Sequence, residues 1–492
     1  MTAQSPRILV VGAGSSGLVA AIAAHDAGAD VEILESGGPD DAGGNARYSG
    51  GLFLFSHHGT ADVVPLVDAA GDAVEVEPYS DDDYLSTLVT MADGRADPDL
   101  TRALVADSLD GMRWLAEIGV RFRLTSTVFG SYRRDGRIVV PPGPALESID
   151  DGRGFVQALL DAVRRRGLSI RYGSAMADLI LDGGATAGVT LASGDHLAGF
   201  DSIVLATGGF EASPRLRREL LGPEWERVTV RGTRHNTGGP MEAALRHGAA
   251  VHGDLATCHS ISVDAGAPVV PSPGRPTAAR LSRGFRYGIV VNAQGERFFD
   301  EGEDLWTRIY SKMGRAIVRQ PGAVAFHIFD AKVAERARVA MPDVEPMVAD
   351  TLDIVADRAG VDSAALQRTI TDFNAAIVDR SLDFDRLDGR GTVGIMPPKS
   401  NWALAIDTPP YVVYPAVCGI TFTHGGLRID PNARVLRTNG SAIDGLYAAG
   451  EITGGFFFGN YPGGSSLMRS VVFGRRAVAA ALEDHRSRNV TD

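Results

Sequence analysis

The sequence predicts an α/β fold: a parallel sheet covered by helices, with a smaller α+β domain inserted into it. Three observations predict this. Residues 7–35 read strand, glycine turn, helix, strand. Short apolar strands closed by glycines recur far along the chain, at Ile203–Gly209 and Gly445–Gly450. The 59 glycines among 492 residues follow no Gly-X-Y period, which points to tight turns and close backbone approaches.

The first strand is Arg7-Ile-Leu-Val-Val11, an unbroken apolar run of the kind buried on both faces. The turn Gly12-Ala-Gly14-Ser-Ser16-Gly17 leads into an Ala/Leu-rich helix from Leu18 to Ala27. Gly28 ends it, and Val31 to Leu34 is the second strand. Asp97-Pro98 is a helix start, a cap residue followed by proline at the first helical position. Helical spacing of Leu100, Leu104, Met112, Leu115 and Ile118 then runs to Gly119. A helix and short strand fill 152–172, and a buried strand from Ile203 to Ala206 is closed by Thr207-Gly208-Gly209. A hairpin is expected at 286–299, with Tyr287 to Val291 pairing Arg297-Phe-Phe299. Charged helical sequence occupies 310–385, a Pro- and Gly-bearing return linker 389–410, and strand, glycine loop and helix 445–481. One domain made of 1–255 and 405–492 and an inserted domain at 256–404 are expected.

Composition excludes several partners. With 48 basic and 61 acidic residues the net charge is −13, which repels phosphate backbones and anionic membranes, so no nucleic-acid partner is expected. The two cysteines, Cys258 and Cys418, form no CxxC or ferredoxin-type run, so no metal centre is expected. No stretch approaches the ~18 uninterrupted apolar residues of a membrane span. The first strand begins near Arg7, leaving no room for a signal peptide, so a cytoplasmic protein is expected.

The glycine turn has the context that gives a GxGxxG motif meaning. It follows an apolar strand, opens a helix, and Glu35 stands 18 residues after Gly17 at the end of the next strand. Gly12 permits the tight turn, Gly14 lets the backbone approach a pyrophosphate, and Gly17 lets helix and strand pack closely. The helix dipole and the amides beside Ser16 favour the phosphates, while Glu35 accepts from the adenosine ribose hydroxyls.

Four motifs then carry a resemblance over nearly the whole chain: this turn, Gly43-Gly44-Asn45, Ala206-Thr207-Gly208-Gly209, and Gly445-Leu-Tyr-Ala-Ala-Gly450-Glu451. In their order they resemble the flavoprotein family of fumarate reductases, succinate dehydrogenases and 3-ketosteroid dehydrogenases. The resemblance implies a Rossmann-like FAD-binding domain with an inserted cap domain that closes the substrate against the flavin. It places Gly44, Asn45, Gly51, Thr207 and Gly208 around FAD and Glu451 at the ribitol. The helix opening at Ser465-Ser466-Leu467 would aim its amides at the flavin N1/O2 edge. The His-Ser-x-x-Ala pattern of covalent attachment is replaced by Asn45-Ala-Arg-Tyr48-Ser49-Gly50-Gly51, so the FAD is expected to be non-covalent. Arg231-Gly-Thr233, Cys258-His259, Gly288–Asn292, Arg297–Asp304 with Trp306, and Asn460-Tyr-Pro-Gly-Gly464 most resemble the tricarballylate dehydrogenases.

The resemblance implies hydride transfer at a carbon–carbon bond next to a carboxylate or carbonyl of a small molecule, with a proton moved on the opposite face. Arg308, shortly after Arg297-Phe-Phe-Asp-Glu301, matches the region of the catalytic arginine of fumarate reductases; Tyr310 is the alternative, as in steroid dehydrogenases. His259 matches a substrate-holding histidine. Tyr461 stands where fumarate reductases carry a carboxylate-clamping arginine, and Phe422-Thr-His424 replaces their His-Thr-Met. A tyrosine donates one hydrogen bond and cannot clamp a carboxylate with two. Arg231, Arg234, Arg283 and Arg286 are candidate counter-charges. No redox centre beyond flavin is encoded, so a separate acceptor (oxygen, a quinone or a redox protein) is expected. A cyclic ketone or enone substrate is the alternative, and an electron-carrying flavoprotein without its own C–C chemistry the second.

Overall fold

The computed structural model describes residues 5–67, 73–125, 131–270, 279–384 and 386–491. Its contacts separate two compact units. The first comprises Met1–Leu221, Gly232–Cys258 and Phe422–Asp492, and the second Gly222–Arg231 and His259–Thr421.

The first unit is built on β1 (Arg7–Val11), α1 (Ser15–Asp26) and β2 (Asp30–Leu34). β1 lies between β2 and the strand Ser202–Leu205, parallel to both, so that Val10 faces Ile33 on one flank and Val204 on the other. Ile170–Arg171 extends the sheet beyond β2, and Ala442–Ala448 beyond Ser202–Leu205; antiparallel Arg434–Leu436 closes that edge, making six strands. Ile8, Leu9 and Val10 have no exposed surface, the outcome expected of an apolar run with helices on both faces. The C-terminal helix Ser465–Thr491 packs on α1 closely enough that a Cβ on Gly474 would stand 2.8 Å from Ser16 O. The fold is therefore the α/β, Rossmann-like class that the glycine turn predicts.

In the second unit the strand Tyr411–Thr423 is central. Val324–Phe329 and Met347–Ala349 pair antiparallel with it, Thr229–Val230 pairs parallel, and Cys258–Asp264 also adds to it. Helices Leu352–Ala359 and Ser363–Ala376 cover this sheet, and Leu366, Ile370 and Phe373 join Ile289, Val291 and Val413 in one apolar core.

Three expectations from the sequence differ from this arrangement. The 286–299 hairpin does not form: Ile289–Asn292 pairs with Val324–Phe329, and Arg297 meets Val291 only in a single bridge. Arg297 instead turns its guanidinium onto Glu301, at 2.5 Å, and onto the Pro397 carbonyl at 2.7 Å. The helix expected from Pro98 to Gly119 is two, Pro98–Ala106 and Ser108–Glu117, separated at Asp107. Finally, the second unit takes in Gly222–Arg231 and reaches Thr421 rather than occupying 256–404. Parallel pairing of Thr229–Val230 with Gly419 and Ile420 joins those segments to its sheet.

Candidate flavin and substrate sites

The dinucleotide turn is shaped by contacts that exclude a side chain. Gly12 has φ +104°, and a Cβ there would stand 2.5 Å from Ala206 O. One on Gly17 would stand 1.8 Å from Gly12 O. Gly14 caps α1 without a side-chain hydrogen bond, and the first turn of α1 holds no acid, a helix start suited to an anion. Gly44, at φ +54°, lies beside Gly14: a Cβ on it would stand 3.4 Å from Gly14 Cα. Glu35 Oε2 accepts from Ala13 N at 2.9 Å and Oε1 from Gly37 N at 2.8 Å, which fixes the carboxylate at the turn. Ser16 is buried under Gly450, whose Cβ would meet Ser16 Oγ at 2.0 Å. Gly51 is further along, held against Ser148 and Asp151. The chain turns there at φ +66°, and the Gly51 amide donates to Ser49 Oγ at 3.2 Å.

The later glycine strands meet this turn. Thr207 Oγ1 is buried with no partner among the described residues, and Gly208 takes φ +74° against Asn236. Glu451 and Asn45, expected to face the cofactor, are engaged with each other: Asn45 Nδ2 donates to Glu451 Oε2 at 2.9 Å. Ser465, Ser466 and Leu467 open the C-terminal helix just after Gly464, which has φ +95°. Open helix amides, glycines pressed against backbone and the buried Thr207 hydroxyl fit an elongated phosphate-bearing cofactor such as FAD. When bound, FAD supplies the centre that accepts or gives hydride.

In the same unit Tyr461 belongs to an aromatic cluster. Its ring stands edge-on to Phe422, with centroids 4.9 Å apart, and 5.6 Å from Phe457. His424, with no exposed surface, lies 5.5 Å from Phe422, and its Nδ1 is 3.1 Å from Thr257 Oγ1. Thr257 Oγ1 also accepts from Gly459 N at 3.2 Å, tying the glycine loop before Tyr461 to this histidine.

The second unit brings together His259, Tyr310 and Trp306. The Tyr310 ring lies 5.2 Å from His259 and 5.5 Å from Trp306. Helix Trp306–Val318 places Trp306 and Tyr310 one turn apart on one face, and strand Cys258–Asp264 supplies His259. His259 is buried, and burial together with the Arg231 charge holds its pKa well below the ordinary histidine value, so the ring is neutral. Arg283 stacks on Trp306 with its guanidinium carbon 5.9 Å from the ring centroid. Arg231 and Arg283 thus bring positive charge to this cluster. Arg286 is turned onto Tyr287 Oη at 2.7 Å, and Arg234, in the first unit, lies 3.9 Å from Asp41. Arg308 is not in the cluster's interior: its side chain is 62% exposed and lies 3.5 Å from Asp304.

Sequence reasoning missed Glu211, Asn236, and the pairing of His235 with Asp41 at 3.0 Å. Each lies outside the glycine motifs, although Glu211 follows Gly209-Phe210 and Asp41 stands two positions before Gly43-Gly44-Asn45. Among the described residues no helix is long and apolar enough to cross a membrane.

The model of the FAD binding domain family matches residues 7–467. A probable fumarate reductase of Shewanella frigidimarina is 29% identical over 96% of this chain and 74% of its own length. A 3-oxosteroid 1-dehydrogenase of Mycobacterium tuberculosis is 26% identical over 96% of this chain and 98% of its own. The solved open conformation of a flavocytochrome c3 fumarate reductase superposes with a TM-score of 0.74 at 24% identity, covering 98% of this chain and 79% of that one.

Proposed function

The chain belongs to the FAD binding domain family and is an FAD-dependent oxidoreductase acting on CH–CH groups; from that premise we propose that its substrate is a small carboxylate whose oxidised or reduced bond adjoins an activating oxygen. One observation carries this reading: Arg231 and Arg283 accompany the neutral His259, Trp306 and Tyr310. Two guanidinium groups favour a carboxylate, and a neutral imidazole can donate one hydrogen bond to it.

In this reading Tyr461 donates to the oxygen on which negative charge builds. A single hydroxyl stabilises such an oxygen without requiring a dicarboxylate. Tyr310 moves the proton, ahead of Arg308. A guanidinium has an ordinary pKa of about 13 and becomes a base only in a dry site; the 62% exposure of Arg308 removes that condition. Electrons leave to a separate acceptor.

A cyclic ketone is the second reading, favoured by the aromatic surroundings of Tyr461. Anaerobic mixing with carboxylates and cyclic ketones separates the two: the reading stands if a saturated or unsaturated carboxylate changes the flavin's redox state, and falls if only ketones do.

A further inference from the structure

Four segments of the first unit converge on two acids. A Cβ on Gly209 would stand 2.9 Å from Glu211 Oε2 and 2.3 Å from Glu451 Oε1, so both carboxylates press on the Thr207–Gly209 loop. The Asn45 side-chain amide donates to both, at 2.7 Å to Glu211 Oε1 and 2.9 Å to Glu451 Oε2. Asn236 Nδ2 repeats the bridge at 2.7 and 3.3 Å. Glu451 Oε1 also accepts from Thr423 N at 2.9 Å.

The two acids are unequally served. Both oxygens of Glu451 have donors, whereas Glu211 Oε2 is buried with none among the described residues. A bare buried carboxylate oxygen is costly, and two carboxylates sharing one site do not both ionise. One proton on Glu211 Oε2 relieves both penalties, because the atom then becomes a donor toward Glu451. The charged groups facing the pair are Arg469, fully buried on the C-terminal helix and acting on Glu451, and Arg217, which donates to the Glu211 carbonyl at 2.6 Å. With that proton the two acids carry one negative charge between them, opposite the Arg469 cation.

We propose that Glu211 is a positioning residue for FAD, held as a neutral carboxylic acid that donates its proton to Glu451 and so fixes Asn45, Gly208, Gly209 and Glu451 in one arrangement. Burial, and then the Glu451 charge, raise the Glu211 pKa well above the ordinary value. The sign of the pH dependence follows. The folded chain keeps a proton that the unfolded chain loses above about pH 4.3, so this group's stabilisation is complete below that pH and is lost progressively as pH rises to the folded-state pKa.

The test uses the FAD-loaded protein, Glu211→Gln and Glu211→Ala. Glutamine keeps the shape of the neutral acid, with an acceptor toward the asparagines and a donor toward Glu451. Its FAD dissociation constant should stay within about threefold of the parent, while alanine should weaken binding by about tenfold, one hydrogen bond's worth. The melting temperature of Glu211→Gln should gain on the parent as pH rises from about 5 to about 8. An infrared carbonyl band of an un-ionised acid, present in the parent at neutral pH, should vanish in Glu211→Gln. FAD loss in Glu211→Gln equal to that in Glu211→Ala overturns the positioning role. A pH-independent melting difference with no such infrared band overturns the neutral acid. If Glu211→Ala does not fold, the glutamine variant and the infrared band still decide.

Discussion

The Tyr310 ring stands nearly perpendicular to that of His259, at 70° with centroids 5.2 Å apart. That contact links a phenolic hydroxyl, which can exchange a proton, to a buried imidazole that is held neutral. Arg308, two residues from Tyr310 on the same helix, has a side chain 62% exposed that lies 3.5 Å from Asp304. Two residues of helix rotate a side chain by about 200°, so adjacent candidates in sequence end on opposite faces.

This division predicts the outcome of paired variants. Tyr310→Phe removes only a hydroxyl and should lower kcat by at least about 100-fold, the low end for general acid–base catalysis, with a smaller change in KM. Arg308→Ala should retain near-normal flavin reduction. Stopped-flow reduction with the native substrate reads both; the reverse pattern would restore the arginine as proton carrier.

Tyr461→Phe should cost about 1–3 kcal/mol of transition-state stabilisation while FAD stays bound, because one hydrogen bond to a charge-bearing oxygen is lost. The Phe422 and Phe457 edges that hold the ring remain, so folding should be unaffected. The ratio of kcat/KM values, with the flavin spectrum as control, measures it. An unchanged ratio would remove Tyr461 from the chemistry.

The nucleotide half of the molecule was legible because its chemistry is written in backbone requirements. Gly12 and Gly17 leave no space for a Cβ, and β1 has no exposed position from Ile8 to Val10; both leave local signatures in sequence. The Glu211–Glu451 pair left none, since its members lie 240 positions apart and meet only through Asn45 and Asn236. Arg308 illustrates the other limit. A motif match gives a neighbourhood of a few residues, whereas helical phase decides which of them faces inward.

Gly12→Ala and Gly28→Ala separate cofactor contact from backbone strain. Both glycines have positive φ, +104° and +87°. Alanine at 28 meets nothing within 4 Å, so it should cost only about 1–2 kcal/mol of stability and leave FAD in place. Alanine at 12 would also drive into Ala206 O at 2.5 Å, reshaping the turn that faces the phosphates. Its filtrate should contain FAD and its protein should be colourless. The parent should release unmodified FAD, rather than a peptide-bound flavin, on mild acidification.

Acid should loosen the attachment of the C-terminal helix through Asp484. Arg434 grips this carboxylate with two hydrogen bonds, at 2.7 and 2.8 Å, and Tyr447 Oη donates to it at 2.6 Å. These donors, Arg434 first, lower the Asp484 pKa below its ordinary value. A depressed carboxylate contributes stability that is fully present above the unfolded-state pKa of about 3.9 and is lost as pH falls through the folded value. Melting temperature should therefore drop below about pH 4, and Asp484→Asn should flatten that part of the profile while lowering stability at neutral pH. The strand Ala442–Ala448, which carries Tyr447, and the C-terminal helix, which carries Asp484, are fastened at this point. Amide exchange in both segments should accelerate together in Asp484→Asn at pH 7; faster exchange in only one of them would show that the three-residue contact does not couple strand to helix.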